Sequence, residues 1–243
     1  MVEQLALTRA LNSLLGAPAA ALLHAVGIQA DPNTVITDAF ALELLVAALL
    51  IAFFAVVRLT LSVEKPGPVQ HMAELLHEFI GGQAEPILGH DTGHFQAFCT
   101  CIFLFVLLNN VLGLIPGITT PTSIPMIPLG VAVPTFLLYN FMGIKRNGIF
   151  GYLKQFMGPV WYMSWLLFPI EIVSHLARVL SLTIRLYANM FASDLVTLVF
   201  FSLIPVGIPV VFLGLHLFVS LVQAFVFTLL AMIYLSLAVA HEH

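Results

Sequence analysis

Glu171, His175, Arg178, Arg185, Asp194 and His216, with the amides Asn189 and Gln223, all sit inside long apolar runs. Ionisable groups at bilayer depth are costly, so they face protein or water and are candidates for moving ions. An arginine keeps its proton under ordinary conditions and cannot relay one. It can be a fixed positive barrier, or a transient counter-ion for a carboxylate. A histidine near a carboxylate can exchange protons around neutral pH. Blander readings stand beside these. Glu171 and Arg178 lie within reach of one membrane face and could snorkel to it, and His175 reads as structural. Arg185 admits no such reading, because apolar sequence extends well beyond it in both directions.

Spacing sorts these groups into levels. With a turn at Pro205, Arg185 lies 20 residues before it and Gln223 lies 18 after, whereas Asp194 and His216 each lie 11 away. At ~1.5 Å per residue the two levels are roughly 10–14 Å apart. At ~100° per residue, Glu171, Arg178, Arg185 and Asn189 share one stripe and Asp194 falls opposite, while His216 and Gln223 share a face of the last helix. No carboxylate of this chain shares the Arg185 stripe near its depth, so a partner carboxylate is expected on another protein. Asp194 and His216 are expected to exchange protons in a layer nearer the outside.

The elements that hold these groups follow from composition. The chain has 243 residues, 60% hydrophobic and 8% charged, with a mean hydropathy of +1.06. Soluble chains carry roughly a quarter charged residues, so the solvent here is largely lipid. No polybasic run points to nucleic acid. Residues 1–37 read as a mature amino end, outside or at the interface, with a short surface helix, and residues 38–243 as the membrane domain. Runs long enough to span cover 39–61, 95–115, 124–144, 161–203 and 209–240. The third is interrupted by Pro125, Pro128 and Pro134, and a short polar connector with Asn147, Gly148, Tyr152 and Lys154 follows it. Pro68–Gly82 is amphipathic and reads as too short to span, hence interfacial. The last two runs exceed a perpendicular crossing and must tilt. Cys99 and Cys101 read as small buried hydrophobes that do not pair. The expected fold is all-α, with about five spans and a long tilted C-terminal hairpin.

Arg58, Lys65, Lys145, Arg146 and Lys154 fall on one side if the chain starts outside and crosses five times. The connectors around Pro116–Pro121 and Pro205–Pro209 hold no Lys or Arg. The positive-inside rule then puts the carboxyl end in the cytoplasm.

The stretch Ser181-Leu-Thr-Ile-Arg185-Leu-Tyr-Ala-Asn189-Met-Phe-Ala resembles the signature of F-type ATP synthase subunit a. So do Leu221-Val-Gln223-Ala-Phe225-Val-Phe-Thr-Leu-Leu, Ile233-Tyr-Leu-Ser, the terminal Glu242-His243 and Asn110-Val-Leu-Gly-Leu-Ile-Pro116. The resemblance runs from about Asp38 onward and is weak before it. It implies that Arg185 faces a ring of c subunits carrying membrane carboxylates, with Gln223 and Asn189 lining the polar surface beside it. Asp194 and His216 would serve a half-channel open to the outside, and Glu171 one open to the cytoplasm. The ion would be H⁺. The partners would be the c ring, the peripheral-stalk b subunits and the remaining synthase subunits, in a bacterial inner membrane.

Two departures from the family pattern stand out. Ser123-Ile-Pro-Met-Ile-Pro replaces a polar, acidic stretch, so the outer half-channel is expected to have a different wall. Tyr187-Ala188 stands where many members have Phe-Gly. Glu43, in the first span, has no assigned part, though it could face the bundle near the outer surface. No Gly-rich phosphate loop, metal-ligand cluster or nucleophile–base pair is visible, so no cofactor and no catalytic site are expected in this chain. A self-contained secondary transporter is the alternative, but its internal repeats are missing, since the prolines cluster once without a matching half. An intramembrane hydrolase would need a base level with Ser220, and the hairpin offers none.

Overall fold

The computed structural model describes residues 5–25, 31, 34–62, 66–89, 92–115, 118–157, 164–203 and 207–239. Among them there are seven α-helices and no strand: α1 Ala6–Ala25, α2 Asp38–Leu59, α3 Pro68–Leu88, α4 Thr92–Leu112, α5 Met126–Met157, α6 Ser164–Leu203 and α7 Ile208–Val239, with a 3₁₀ turn at Pro121–Ser123 before α5. Five of these, α2 and α4 to α7, are long and apolar enough to cross a membrane. The fold is that of an all-α, multi-pass membrane protein.

Local signals set the ends. Thr37 caps α2 by accepting from the Phe40 N–H, and Asp38 in its first turn and Arg58 in its last both complement the helix dipole. Helix α1 has 20 residues, longer than the short helix expected. It docks on the start of α2, where Thr8 Oγ1 donates to Asp38 and Asn12 exchanges two hydrogen bonds with the Ile36 backbone.

Two sequence expectations need correction, at the end of α3 and at Cys101. Helix α3 does not stop at Gly82 but runs 21 residues to Leu88, through Gly81, Gly82 and Pro86. The buried series Ile80, Ala84, Leu88 continues at helical spacing and joins the core with α4 and α7 residues, which outweighs roughly 1 kcal/mol lost per glycine. Polarity, not length, keeps α3 out of the spanning set. Lys145-Arg146 does close the third span, which runs Met126–Arg146. Helical structure then resumes to Met157 beyond a break at Gly148, whose φ 72°, ψ 162° is non-helical and falls within the expected polar connector. A residue with a Cβ would be strained there. Finally, Cys99 is buried but Cys101 is exposed; both are free.

At ~1.5 Å per residue, α6 with its 40 residues is about 60 Å long, twice a bilayer core. It pairs antiparallel with α7. Phe200 stacks on Phe212 at 4.2 Å, Asp194 meets His216, Asn189 meets Gln223, and Arg178 lies over Tyr234. Every one of these pairs is centred on residue 205 or 206, so the register is constant along the hairpin; the turn itself, 204–206, lies outside the described residues. Leu186, Met190, Phe227, Met232 and Leu235 fill the seam between the two helices and α4 and α5. The opposite face of α6 is uncovered, with Leu176, Leu180, Ile184, Phe191 and Leu195 all exposed.

Candidate functional site: two polar layers and an open arginine

Near the hairpin end, Asp194 is held by a loop. Thr120 precedes the 3₁₀ turn and donates both its hydroxyl, to Oδ1 at 2.6 Å, and its backbone N–H, to Oδ2 at 3.2 Å. His216 Nδ1 lies 3.7 Å from Asp194 Oδ1 and 2.9 Å from the Ser193 hydroxyl. Its Nε2 lies 3.2 Å from the Asn110 carbonyl oxygen. A carbonyl only accepts, so Nε2 carries the proton in the neutral ring and Ser193 donates to Nδ1. Nδ1 is then the atom that gains a proton, on the side facing Asp194. The Asn110 side chain accepts from the Thr122 hydroxyl at 2.6 Å, which ties the loop to α4.

This packing demands Gly113. A Cβ there would collide with Thr120 Oγ1 and come within 3.2 Å of His216 Cε1. Beside the layer, a cavity of ≈340 Å³ lined by Asp194, Thr119, Thr197 and Leu198 leads toward the hairpin end.

One level deeper, Asn189 Nδ2 donates to Gln223 Oε1 at 2.8 Å. Arg185 lies one turn further from the hairpin end, half-buried, with NH2 3.5 Å from the Ser181 hydroxyl. Among the described residues no carboxylate lies within 4 Å of its guanidinium. Ser181, Arg185 and Asn189 recur every fourth residue, forming a polar stripe within the uncovered apolar face of α6. Asp194 lies elsewhere on α6, as the helical phase required.

At the other end of α6, Glu171 Oε1 lies 3.4 Å from His175 Nε2 and 3.9 Å from Arg178 NH2. His175 Nδ1 meets the Tyr139 hydroxyl at 3.0 Å, and Arg178 covers the Tyr234 ring. Glu43 stands apart, lining a cavity of ≈360 Å³ between α2, α4 and α5.

Equal distances from the turn thus bring Asp194 to His216, whereas Gln223, expected level with Arg185, meets Asn189 one turn nearer the hairpin end. Spacing alone does not reveal Thr120, Ser193 or Gly113. Thr120 lies in the same segment as the departure at Ser123–Pro128, and its hydroxyl and that of Thr122 bond Asp194 and Asn110.

The family model for the ATP synthase A chain matches residues 40–236, most of the chain. This chain belongs to that family. ATP synthase subunit a of Koribacter versatilis is 48% identical over 244 residues, covering 100% of both chains. Subunit a of Solibacter usitatus is 48% identical over 202 residues (83% of this chain, 87% of the relative). That of Bdellovibrio bacteriovorus is 47% identical over 170 residues (70% and 74%). The family match begins where α2 begins, while the similarity to the Koribacter chain includes α1. Membership fits the ion-transport reading of a helical hairpin with buried polar groups. Among the described residues no three His, Cys, Asp or Glu side chains converge as a metal site.

Proposed function

We propose that this chain is the a subunit of a rotary F-type ATP synthase, providing two half-channels for protons and the arginine that faces the c-ring carboxylates. The observation that carries the reading is the Ser181–Arg185–Asn189 stripe. It sets a permanent cation in an uncovered apolar face with no carboxylate beside it among the described residues. Such a cation in lipid is stabilised by a counter-charge from a partner, and a ring of membrane helices with one carboxylate each supplies it in turn.

The Asp194–His216 layer serves the half-channel open to the outside. Its proton enters through the adjacent cavity, exchanges between carboxylate and Nδ1, and reaches the ring on one side of Arg185. The Glu171 cluster serves the half-channel open to the cytoplasm, on the other side. Arg185 prevents a direct leak, because a guanidinium neither accepts a proton nor lets one pass its positive field. The chain has no catalytic site of its own; ATP chemistry resides in partner subunits, and peripheral-stalk b subunits hold this chain against the ring. The amino end lies outside and the carboxyl end in the cytoplasm of a bacterial inner membrane, following the placement of Arg58, Lys145 and Arg146.

Crosslinking tests the facing surface. Ser181→Cys and Asn189→Cys should each couple to a cysteine on the outer helix of the c subunit, and the buried Leu186→Cys should not. Coupling from Leu186→Cys alone would place the ring on the wrong face.

A further inference from the structure

Along α7, His216 and Gln223 are seven residues apart, about 10 Å of helix axis, well beyond the ~3 Å reach of one hydrogen bond. A proton passing from the Asp194–His216 layer to the Asn189–Gln223 layer needs something in between. His216, Ser220 and Gln223 form one buried stripe at helical spacing, all less than a twentieth exposed. The outer member is bonded to α4 and α6, through Asn110 and Ser193, and the inner one to α6, through Asn189. Ser220 therefore lies at the seam of the same helices.

Its hydroxyl behaves unlike its peers. Thr100, Thr135, Thr183, Thr197 and Thr228 each donate to the carbonyl four residues back, at 2.8–2.9 Å. Ser220 Oγ makes no such bond and has no protein partner, although it is fully buried. Asn110 Nδ2 and Gln223 Nε2 are likewise buried without partners, and so is Asn109 Oδ1 on α4. Buried polar groups are almost always hydrogen-bonded, so these orphans on α4 and α7 require an account. The two amide nitrogens only donate and cannot satisfy each other. A molecule that accepts from them and also donates, and that fits between packed helices, is water.

We propose that Ser220 is a positioning residue that holds a short chain of buried water between His216 and the Asn189–Gln223 pair, the inner leg of the outer half-channel. This rests on the functional reading above and deepens it. The imidazolium of His216 gives up one proton. Each water and the Ser220 hydroxyl accepts one and donates one, and the partner carboxylate beside Arg185 takes it. Nothing is oxidised or consumed. Asn110 and Gln223 orient the waters by donating to them, which leaves water hydrogens directed along the seam.

The test uses the full synthase in inverted membrane vesicles. Ser220→Val has the shape of threonine but no hydroxyl and covers the water site, so ATP-driven proton pumping should fall roughly tenfold or more, the scale of a lost proton-transfer group, while the equally bulky Ser220→Thr stays within about twofold of the parent. Equal amounts of assembled complex must be compared. A second arm does not depend on turnover: in a background lacking Cys99 and Cys101, Ser220→Cys should react with silver ion, and Ala231→Cys, equally buried in apolar core, should not. Parent-like pumping by Ser220→Val, or silver reactivity at Ser220→Cys no higher than at Ala231→Cys, overturns the proposal. If instead Arg185→Ala pumped normally, the half-channel reading itself would fall, whatever the silver result at Ser220.

Discussion

Asn189 donates its side-chain amide to Gln223 across the α6–α7 hairpin at 2.8 Å, which sets the Gln223 amide one turn of α6 closer to the hairpin end than Arg185. Gln223 Oε1 is thereby engaged, and its amide nitrogen is left for the interior. Arg185 stays uncommitted to α7, and its guanidinium rests on Ser181 of its own helix.

This register predicts a crosslinking order. In a chain without Cys99 and Cys101, Asn189→Cys with Gln223→Cys should couple rapidly through a short bifunctional thiol reagent. Arg185→Cys with Gln223→Cys should couple more slowly, being one turn out of level. Glu171→Cys with His216→Cys should not couple, since the constant register separates them by roughly 35 Å along the axis. Efficient coupling of the last pair would mean that the hairpin is misregistered.

Asp194 and His216 should fail together. Asp194→Asn or His216→Leu should each lower ATP-driven proton uptake by roughly tenfold or more, the scale of losing an acid–base group. Thr120→Val, which removes one of two donors to Asp194, should give a smaller loss than either. Full transport by both single variants would reduce the layer to a structural role.

Gly113 is a packing requirement that flux alone would not reveal. Gly113→Ala should displace Thr120 from Asp194 and lower the stability of the assembled complex by about 1–3 kcal/mol, the usual range for overpacking. The thermal midpoint in detergent measures it. An unchanged midpoint would show that the loop yields without cost.

Apolar runs and their polar interruptions made most of this fold legible, because a spanning helix has to be apolar over its length. The Asp194–His216 pair was legible for a related reason: a hairpin fixes depth, so equal distances from a turn become equal levels. Helix ends were less so. Gly81, Gly82 and Pro86 are local breakers, yet packing of Leu88 carries α3 past the expected stop at Gly82, whereas Gly148 does break the helical geometry of α5. Thr120 and Ser193 were hidden because a hydroxyl carries no pattern of its own, and only the proximity of Asp194, 74 residues away in sequence, gives Thr120 its part. Gly113 sits in the quoted motif, but its need for a bare Cα shows only once Thr120 and His216 are seen against it.

The central claim is that Arg185 is the fixed charge facing a partner's carboxylates, and its direct measurement is ATP-driven proton pumping by Arg185→Ala in inverted vesicles. The complex should assemble and pumping should fall to background, with passive proton leak permitted once the barrier is gone. Arg185→Lys should also fail largely, because an ammonium lacks the planar donor fork and can lose its charge when buried. Pumping at the parent rate by Arg185→Ala in fully assembled complex would contradict the account.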